Sequence, residues 1–483
     1  MWSNRNFTMT RRALMFWIGL ATAVFLSRFA HLNILWADED YHLAVAQQLL
    51  HGKLLYRDVW YDKPPLSALL LTLIGGLPGW PLRLFSTLPE LAGAAAAFRF
   101  AREFWGPREA YIAAAAFVFF HIFFFPATAI PLEPDSLMVL PHLLAVYFAW
   151  RKRPALAGIL AGLCFLLSTK GAFVALACVI LLPTGWLPIS AGFALPCMLT
   201  AAWLYVQGAL PDYWAQVWQW GFLYAGNPRP EAVTGPLLRL AGWAGFHTAL
   251  WLGAYFGLRR LTDRSLRWKL AAWLGVSLAA VLIGWSMPPR YMSQMFPALI
   301  LLGSGGLATI FEKRSLCSIV AIIALIIPAA RFGPRYAQLL TEDARGVAHD
   351  WDNVVMDNES RTAAAALTQL TRPGDTLYVW GYRPNVVVYS GLPVASQLWD
   401  SQPVTMVPAD RHLGNDQPLN LDWARQHQDQ LAQSRPTFII DGLSAYNPRL
   451  DIHNFPRLES WLAQYCPAGK PSPGITIYQL CGR

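Results

Sequence analysis

Residues 36–66 read WADEDYHLAVAQQLLHGKLLYRDVWYDKPPL and concentrate charge in a chain that otherwise contains little of it. This stretch holds five carboxylates and several basic side chains, whereas charged residues make up only 14% of the 483-residue sequence. Hydrophobic residues account for 55% of the chain, including 22 Trp and 26 Phe. A single soluble core cannot bury this many apolar residues, so the composition predicts an integral membrane protein.

Apolar stretches of the length that crosses a bilayer recur through the first two thirds of the chain. A helical span needs about 20 apolar residues, and the pattern predicts eleven spans. The first one follows Arg11 and Arg12 but has no small-residue cleavage site after it, so we expect a retained anchor and not a signal peptide. The predicted spans are 13–35, 84–101, 109–126, 134–150, 154–168, 171–185, 187–206, 238–258, 269–286, 294–311 and 315–331.

The basic residues of the short loops predict how these spans are oriented. Lys and Arg in short loops stay on the cytoplasmic side, and a cytoplasmic N-terminus places every basic loop there. An odd number of spans then puts the C-terminal region outside. Topology thus accounts for the net charge of +9, and no nucleic-acid partner is expected. The basic groups are Arg11 and Arg12, Arg102 and Arg108, Arg151 to Arg153, Arg259 to Lys269, and Lys313 and Arg314.

The composition changes after the last apolar stretch. Apolar runs shorten, and the segments TLYVWG, TFIIDG and ITIYQL have the pattern of buried strands. The sequence therefore predicts an α-helical polytopic membrane domain followed by a small soluble α/β domain on the external side. The predicted parts are the membrane domain, residues 1–331, its external loops, residues 36–83 and 207–237, and the soluble domain, residues 332–483.

Two external segments are long enough to have a role of their own. The sequence YHLAVAQQLL at residues 41–50 has the pattern of an amphipathic helix that lies along the membrane interface. Residues 206–235 are rich in Trp and Tyr. These aromatic side chains form either an interfacial belt or a platform for sugar rings or a lipid chain.

The six cysteines fall into two groups. Cys466 and Cys481 belong to the predicted external domain, where an oxidising compartment allows them to form a disulfide; the alternative is that they stay unpaired. The other four lie in apolar spans and are interpreted as small buried hydrophobic residues. They are Cys164, Cys178, Cys197 and Cys317.

The predicted topology brings acidic and basic residues from distant parts of the chain to one external face. An ionisable group costs about 2.5–3.5 kcal/mol at the centre of a span, so such groups usually persist because they pair or act. Each also has a structural alternative, such as capping a helix, beginning one, or snorkelling to the interface. The residues on this face are Asp38, Glu39, Asp40, Lys63, Glu133, Asp135, Lys170 and Arg290.

This set of side chains suits the chemistry of a lipid phosphate. A carboxylate serves as a general base for a hydroxyl, and Lys and Arg neutralise a phosphate group. A site at the membrane edge leaves the lipid tail in the bilayer, and sugar transfer from such a lipid is one reaction that fits. Glu133 and Asp135 either orient the acceptor or hold a divalent cation, because hard cations take carboxylate ligands.

Four sequence segments carry a resemblance to a known group of enzymes. They are DEDYHLAVAQQLLHGKLLYRDVWYDKPPL, PLEPDSLMVLP, GLCFLLSTKGAF and PPRYMSQMFPALILL. In this order they resemble the GT-C polyprenyl-phosphate-sugar glycosyltransferases, the group that contains the lipid A aminoarabinose transferases and, more distantly, the protein O-mannosyltransferases. The first segment, with Asp-Glu-x-Tyr, His-Gly, Tyr-x-Asp and Lys-Pro-Pro, is the most specific of the four.

The resemblance implies an inverting transferase in the bacterial inner membrane with its active site on the periplasmic face. The enzyme would move a hexosyl or pentosyl group from a polyprenyl-phosphate donor to a hydroxyl of a glycan, lipid or protein. It implies that Asp38, in the Asp-Glu pair with Glu39, activates the acceptor, and that Lys63 contacts the donor phosphate. The later acidic motif corresponds to Glu133 and Asp135, which leaves open which of the two matters. The other expected phosphate ligands are Lys170, Arg290 and Tyr291, where many relatives have His-Tyr in place of Arg290-Tyr291.

Two other classes of function remain as alternatives. A transporter or lipid flippase also has many spans and scattered charge, but transporters tend to show repeated halves and ionisable groups at the midplane. This sequence shows neither feature. The second alternative is a catalytically inactive relative whose external domain binds glycan.

Overall fold

The computed structural model describes residues 10–483 except 228–233, 284, 286, 314, 350, 352 and 353. Arg314, one of the predicted cytoplasmic basic residues, lies outside the described residues. So do parts of the predicted external loop 207–237 and of the predicted span 269–286.

The first half of the chain is almost entirely helical. Several helices begin with proline, namely those that start at Pro107, Pro134 and Pro154. Proline is favourable there because the backbone N–H that it lacks would make no hydrogen bond within the helix. A π-helical segment, Trp214–Gln219, connects the helices Leu210–Tyr213 and Trp220–Gly226. The helices are α1 (Arg11–Phe29), α2 (Glu39–Leu50), α3 (Leu66–Thr72), α4 (Trp80–Phe104), α5 (Pro107–Ile122), α6 (Pro126–Ala129), α7 (Pro134–Leu137), α8 (Val139–Trp150), α9 (Pro154–Leu167), α10 (Gly171–Leu181), α11 (Trp186–Val206), α12 (Leu210–Tyr213) and α13 (Trp220–Gly226).

The second half begins with helices and continues into the sheet region. A 3₁₀ helix, Pro289–Met295, leads directly into the helix Phe296–Lys313. Gly346, in the left-handed conformation with φ of 64°, ends the 30-residue helix Leu316–Arg345. The helices are α14 (Thr234–Phe246), α15 (Thr248–Arg260), α16 (Arg264–Leu282), α17 (Phe296–Lys313), α18 (Leu316–Arg345), α19 (Val355–Thr368), α20 (Pro384–Ser390), α21 (Ser401–Thr405), α22 (Leu421–Leu431) and α23 (Glu459–Leu462).

The predicted membrane spans coincide with helices, but the number of crossings stays a prediction. Each of the eleven predicted segments overlaps one helix or two consecutive helices. The segment predicted at 238–258 is divided at His247 into α14 and α15. Within the described residues, five helical segments are long and apolar enough to cross a membrane. They are Arg11–Phe29, Pro183–Val206, Arg264–Leu282, Pro289–Lys313 and Leu316–Arg345.

The C-terminal region contains a four-stranded mixed sheet in the order β1-β2-β4-β3, with β1 and β2 parallel and the other pairs antiparallel. Three strands match the predicted segments. The fourth strand, β3, was not among the predicted segments. Its Pro and Gly residues are unfavourable in a central strand but are tolerated at this exposed, irregular edge of the sheet. The strands are β1 (Leu377–Trp380), β2 (Phe438–Asp441), β3 (Tyr465–Ser472) and β4 (Ile475–Leu480).

A disulfide joins Cys466 in β3 to Cys481, the residue after β4, with the two Cα atoms 5.2 Å apart. Of the two alternatives that the sequence left open for these cysteines, the structure contains the paired one. The bridge ties the edge strand β3 to its neighbour. The division of the chain at residue 331 stays a prediction, because α18 runs through that position without a break.

The helix α2 does not lie free at the interface as the sequence predicted. It packs against α3 on one side and α20 of the C-terminal region on the other, and Leu43 to Ala46 are fully buried. The Gln48 side chain bonds the C-terminal backbone twice, donating to Leu392 O at 3.1 Å and accepting from Val394 N at 2.8 Å. The charged stretch 36–66 is therefore held between the helical part and the C-terminal region.

Helices α15 and α17 pack with their backbones in contact because glycines face each other. Gly253 and Gly257 of α15 lie against Gly303 and Gly306 of α17. A Cβ placed on Gly306 would overlap the Gly253 carbonyl oxygen and lie 2.6 Å from the Gly257 nitrogen. This is the small-residue packing by which membrane helices approach closely. This packing holds α17 against α15, and the 3₁₀ helix Pro289–Met295 continues directly into α17.

Gly306→Ala is expected to lower the melting temperature of the purified protein in detergent. The added methyl group meets backbone atoms that cannot rotate away, and overpacking of this kind costs about 1–3 kcal/mol. Gly275→Ala in α16 is the control, because no atom lies within 4 Å of its Cβ position and Ala gains about 0.5–1 kcal/mol over Gly within a helix. Equal melting temperatures for the two variants would contradict this packing.

Candidate functional site

The backbone at Asp38 has an unusual conformation that aims its side chain. Asp38 occupies the N-cap position of α2 with φ of 74° and ψ of −45°, and its carboxylate makes no capping hydrogen bond. A non-glycine residue in a sparsely populated region costs about 1–3 kcal/mol, which the surroundings must supply. The carboxylate instead forms an ion pair with Arg290. The capping alternative for Asp38 is therefore wrong.

The neighbouring Glu39 carboxylate is buried and fully engaged. It forms an ion pair with Arg83 of α4, with Nη2–Oε1 at 2.5 Å and Nη1–Oε2 at 3.1 Å, and both side chains are at most 1% exposed. It also accepts from the backbone N–H groups of Trp36 and Leu132, each at 3.1 Å. Glu39 was expected to act with Asp38, but the structure does not bring it into contact with the other candidate site residues.

Arg290 joins two carboxylates that come from distant segments. It lies in the 3₁₀ helix before α17, and its Nε is 3.3 Å from Oε2 of Glu133 while its Nη1 pairs with Asp38. Glu133 is 2% exposed, and burial raises the pKa of its carboxyl well above the ordinary value. Its Oε1 has no hydrogen-bond partner.

A second group of contacts surrounds Lys170, between α9 and α10. Its Nζ is 3.3 Å from Oδ1 of Asp135 and 2.7 Å from the centroid of the Tyr291 ring. The same Asp135 oxygen accepts a hydrogen bond from Nε2 of Gln294 at 3.2 Å. Burial lowers the pKa of Lys170 to about 8, although the Asp135 carboxylate acts in the opposite direction.

Lys63 is the most accessible cation of the site, with 44% of its side chain exposed. Its Nζ is 2.8 Å from Oδ2 of Asp62. Desolvation lowers the pKa of Lys63, but the Asp62 carboxylate outweighs it and the net pKa is raised. The negative charge of Asp38 acts in the same direction. The charge of Asp38 therefore acts on Lys63, although the contact of Lys63 is with Asp62.

Contacts therefore connect six of the predicted site residues, while Lys63 contacts Asp62 and Glu39 contacts Arg83. Contacts link Asp38, Arg290 and Glu133 in one group and Asp135, Lys170 and Tyr291 in another, and the guanidinium of Arg290 lies 5.9 Å from the Tyr291 ring centroid. Lys63 adds to them through its electrostatic interaction with Asp38.

Three residues at this site were not singled out from the sequence. Gln294 had a signal, because it is a polar residue in the apolar run MSQMFPALILL and follows Arg290 by one helical turn. Asp62 stands directly before Lys63, within the quoted stretch. Arg83 had only the weak signal of one basic residue near the start of an apolar segment.

A divalent cation does not fit the arrangement of Glu133 and Asp135. Within the described ranges, no group of three or more His, Cys, Asp or Glu side chains is placed to hold a metal ion. The two carboxylates face Arg290, Lys170 and the amide of Gln294, which are donors and cations. The contacts of the two carboxylates therefore suit the positioning of Arg290, Lys170 and Gln294.

Arg83→Met is expected to destabilise the protein by about 3–5 kcal/mol, because it leaves the Glu39 charge buried without its partner. The matched control is Arg457→Met, which breaks an exposed pair with Asp429 and should cost about 1 kcal/mol or less. Thermal unfolding of both variants in the same detergent measures the difference. Similar stabilities for the two would show that the Arg83–Glu39 pair does not hold this turn.

Comparison with known proteins finds one family that matches part of the sequence and solved structures that share the fold. The family described as dolichyl-phosphate-mannose-protein mannosyltransferase matches residues 62–210. No curated protein sequence matches the chain. The structure of ArnT from Cupriavidus metallidurans bound to undecaprenyl phosphate has a TM-score of 0.63 and 15% sequence identity, covering 97% of this chain and 98% of ArnT.

A second solved structure shares the fold over most of the chain. The archaeal oligosaccharyltransferase AglB from Archaeoglobus fulgidus, in complex with an inhibitory peptide and a dolichol-phosphate, has a TM-score of 0.51 and 12% identity. The match covers 90% of this chain and 70% of AglB. The resemblance seen in the sequence motifs is thereby confirmed: residues 62–210 match the mannosyltransferase family in sequence, and 97% of the chain shares the fold of ArnT.

Proposed function

We propose that the chain is an inverting membrane glycosyltransferase that moves a monosaccharide from a polyprenyl-phosphate donor to a hydroxyl group of a glycan, lipid or protein. The observation that carries this proposal is the pairing of the accessible Asp38 carboxylate with Arg290, together with the action of the Asp38 charge on Lys63. A base for the acceptor and cations for the donor phosphate thus lie side by side. ArnT, which has the same fold, was solved with undecaprenyl phosphate bound.

The cations that bind the phosphate are Lys63, Arg290 and Lys170. Lys63 and Arg290 have side chains that are 44% and 33% exposed, so a donor reaches both of them. Arg offers a planar fork to phosphate oxygens, and Lys offers a point charge. Lys170 is 13% exposed and is held by Asp135, while Tyr291 lies against its ammonium group.

Asp38 is the general base. It removes the proton from the acceptor hydroxyl while the acceptor oxygen attacks the anomeric carbon from the face opposite the phosphate. The bond from the anomeric carbon to the phosphate oxygen breaks, its electron pair leaves with the polyprenyl phosphate, and the configuration inverts. The neighbouring carboxylates are less suited, because Glu39 is saturated by Arg83 and backbone donors and Asp40 is buried.

Glu133 and Asp135 have separate positioning roles. Glu133 orients Arg290 and Asp135 orients Lys170, so each acidic residue of the motif fixes one phosphate ligand. Glu39 acts through Arg83 and the backbone to hold the turn that carries Asp38. Neither role needs a metal ion.

The topology completes the proposal. We infer eleven spans, an active site on the periplasmic face of the bacterial inner membrane, and a periplasmic C-terminal region from about residue 332. The disulfide between Cys466 and Cys481 supports this side assignment, because such bonds persist in oxidising compartments. The helix α18 then connects the membrane part directly to the external region.

Asp38→Asn is expected to abolish sugar transfer while the protein still folds and binds donor. Asp40→Asn is the control: burial raises the pKa of the Asp40 carboxyl well above its ordinary value, which favours its neutral form, and the Asn side chain keeps an oxygen that accepts from the Tyr41 N–H. Purified variants are incubated with a panel of radiolabelled hexosyl and pentosyl polyprenyl phosphates and a cell-envelope extract as acceptor, and loss of label from the lipid is measured.

The outcomes separate the alternatives. Transfer by the wild type and the Asp40 variant but not by the Asp38 variant supports the proposal. Full turnover by the Asp38 variant refutes its role as the base. Absence of transfer with every donor, combined with movement of the labelled lipid across a vesicle membrane, indicates a flippase.

The affinity for the donor is expected to fall as the pH rises through about 8. Lys170, with its pKa lowered to about 8 by burial, carries its positive charge below that pH and loses it above, so the KM for the donor rises between pH 7 and 9. Lys170→Arg keeps the charge throughout this range, and its KM should change much less. An identical pH profile for the wild type and the Arg variant would contradict a phosphate-binding role for Lys170.

A further inference from the structure

A cavity of about 330 Å³ lies beside α18 and has no part in the site described above. It is lined by Arg331, Pro334, Arg335, Gln338 and Trp351. Two of its five lining residues are arginines, and the guanidinium of Arg335 lies 4.8 Å from the ring centroid of Trp351. The lining is therefore basic and contains an aromatic ring.

Two hydrogen-bond donors at this cavity are buried and unpaired. Nη1 of Arg335 and Nε1 of Trp351 have no hydrogen-bond partner. Buried donors are almost always bonded in folded proteins, so two such atoms on one cavity indicate a place for an acceptor. An acceptor that also carries negative charge satisfies both the arginine and the indole.

The charge around the cavity indicates the same class of ligand. Arg331 and Arg335 are four residues apart on one helix, where like charges repel each other. Within the described ranges neither arginine forms an ion pair with a carboxylate. An anion bound between them would remove this repulsion.

The helix α18 continues from this cavity into a stripe of exposed apolar side chains. Ile319, Ile323 and Ile327 are 56%, 50% and 50% exposed, and they are spaced four residues apart. The next positions at this spacing are Arg331 and Arg335. Each side chain of this row neighbours the next but lies about 40° further around the helix, so the row winds around α18 and leads from the isoleucines to the two arginines. Such a row matches a lipid whose acyl chain follows the isoleucines and whose charged headgroup lies at the arginines.

We propose that this cavity binds the phosphate of an anionic phospholipid, with an acyl chain along the isoleucine stripe of α18. Arg331 and Arg335 donate to the phosphate oxygens in the manner of a fork, and the indole N–H of Trp351 adds a further donor. Tryptophan is also common at headgroup depth. This binding site is independent of the proposed transfer reaction and of its donor.

The test is native mass spectrometry of the full-length protein in detergent, titrated with phosphatidylglycerol or with phosphatidylcholine. The wild type is expected to bind phosphatidylglycerol at least tenfold more tightly than phosphatidylcholine. The double variant Arg331→Ala/Arg335→Ala should lose this preference, and Trp351→Phe should weaken phosphatidylglycerol binding severalfold. The matched control is Arg11→Ala/Arg12→Ala, which removes two exposed arginines at the start of α1 and should bind like the wild type.

Three results would overturn the proposal. One is equal affinity for the two lipids in the wild type, and another is an unchanged preference in a correctly folded double variant. Inorganic phosphate forms the third arm: if it displaces phosphatidylglycerol at comparable concentrations, the cavity recognises free phosphate and the acyl chain has no role. Should the double variant fail to fold, Arg331→Gln alone must still weaken the binding of phosphatidylglycerol, and an unchanged affinity would refute the site.

Discussion

The Glu39 carboxylate is the interaction on which the geometry of the site depends. It binds Arg83 of α4 and two backbone N–H groups, those of Trp36 and Leu132, so it fastens three separate segments together. Asp38 precedes Glu39, and Glu133 follows Leu132. One buried carboxylate therefore sets the distance between the two acids that bind Arg290. A buried ion pair stabilises a fold only when its remaining hydrogen-bonding groups are satisfied. Here each Glu39 oxygen accepts one hydrogen bond from Arg83 and one from a backbone N–H group.

The C-terminal region also holds the charged stretch 36–66 in place. The backbone of Trp60, in the charged stretch, donates to Gln397 O at 2.8 Å and accepts from the indole of Trp399 at 3.0 Å. Together with the Gln48 contacts, these bonds cover the stretch from the side opposite the helices. The loop that carries Asp62 and Lys63 is thus held from both sides, which explains how a segment so rich in charge keeps a defined position.

Much of the fold and part of the site could be predicted from the sequence, because both follow from local patterns. Apolar runs predicted where helices lie, and the alternation of basic loops placed Asp38, Lys63 and Arg290 on one face. The distinction between Asp38 and Glu39 could not be predicted, since it depends on Arg83, which is 44 residues away from Glu39 in the chain. The strand β3 escaped prediction for a related reason: its prolines are tolerated only because it is an edge strand, a property of the assembled sheet.

The ion pair between Asp38 and Arg290 links the two halves of the proposed reaction. In the free protein the guanidinium of Arg290 occupies the Asp38 carboxylate. When a donor phosphate binds the guanidinium, the Asp38 carboxylate is released from the ion pair and can accept the proton of the acceptor hydroxyl. Glu133 keeps Arg290 in place during this exchange, since it binds Nε and leaves the other side of the guanidinium to the incoming phosphate. The same salt bridge thereby restrains the base in the free protein and makes it available once the donor is bound.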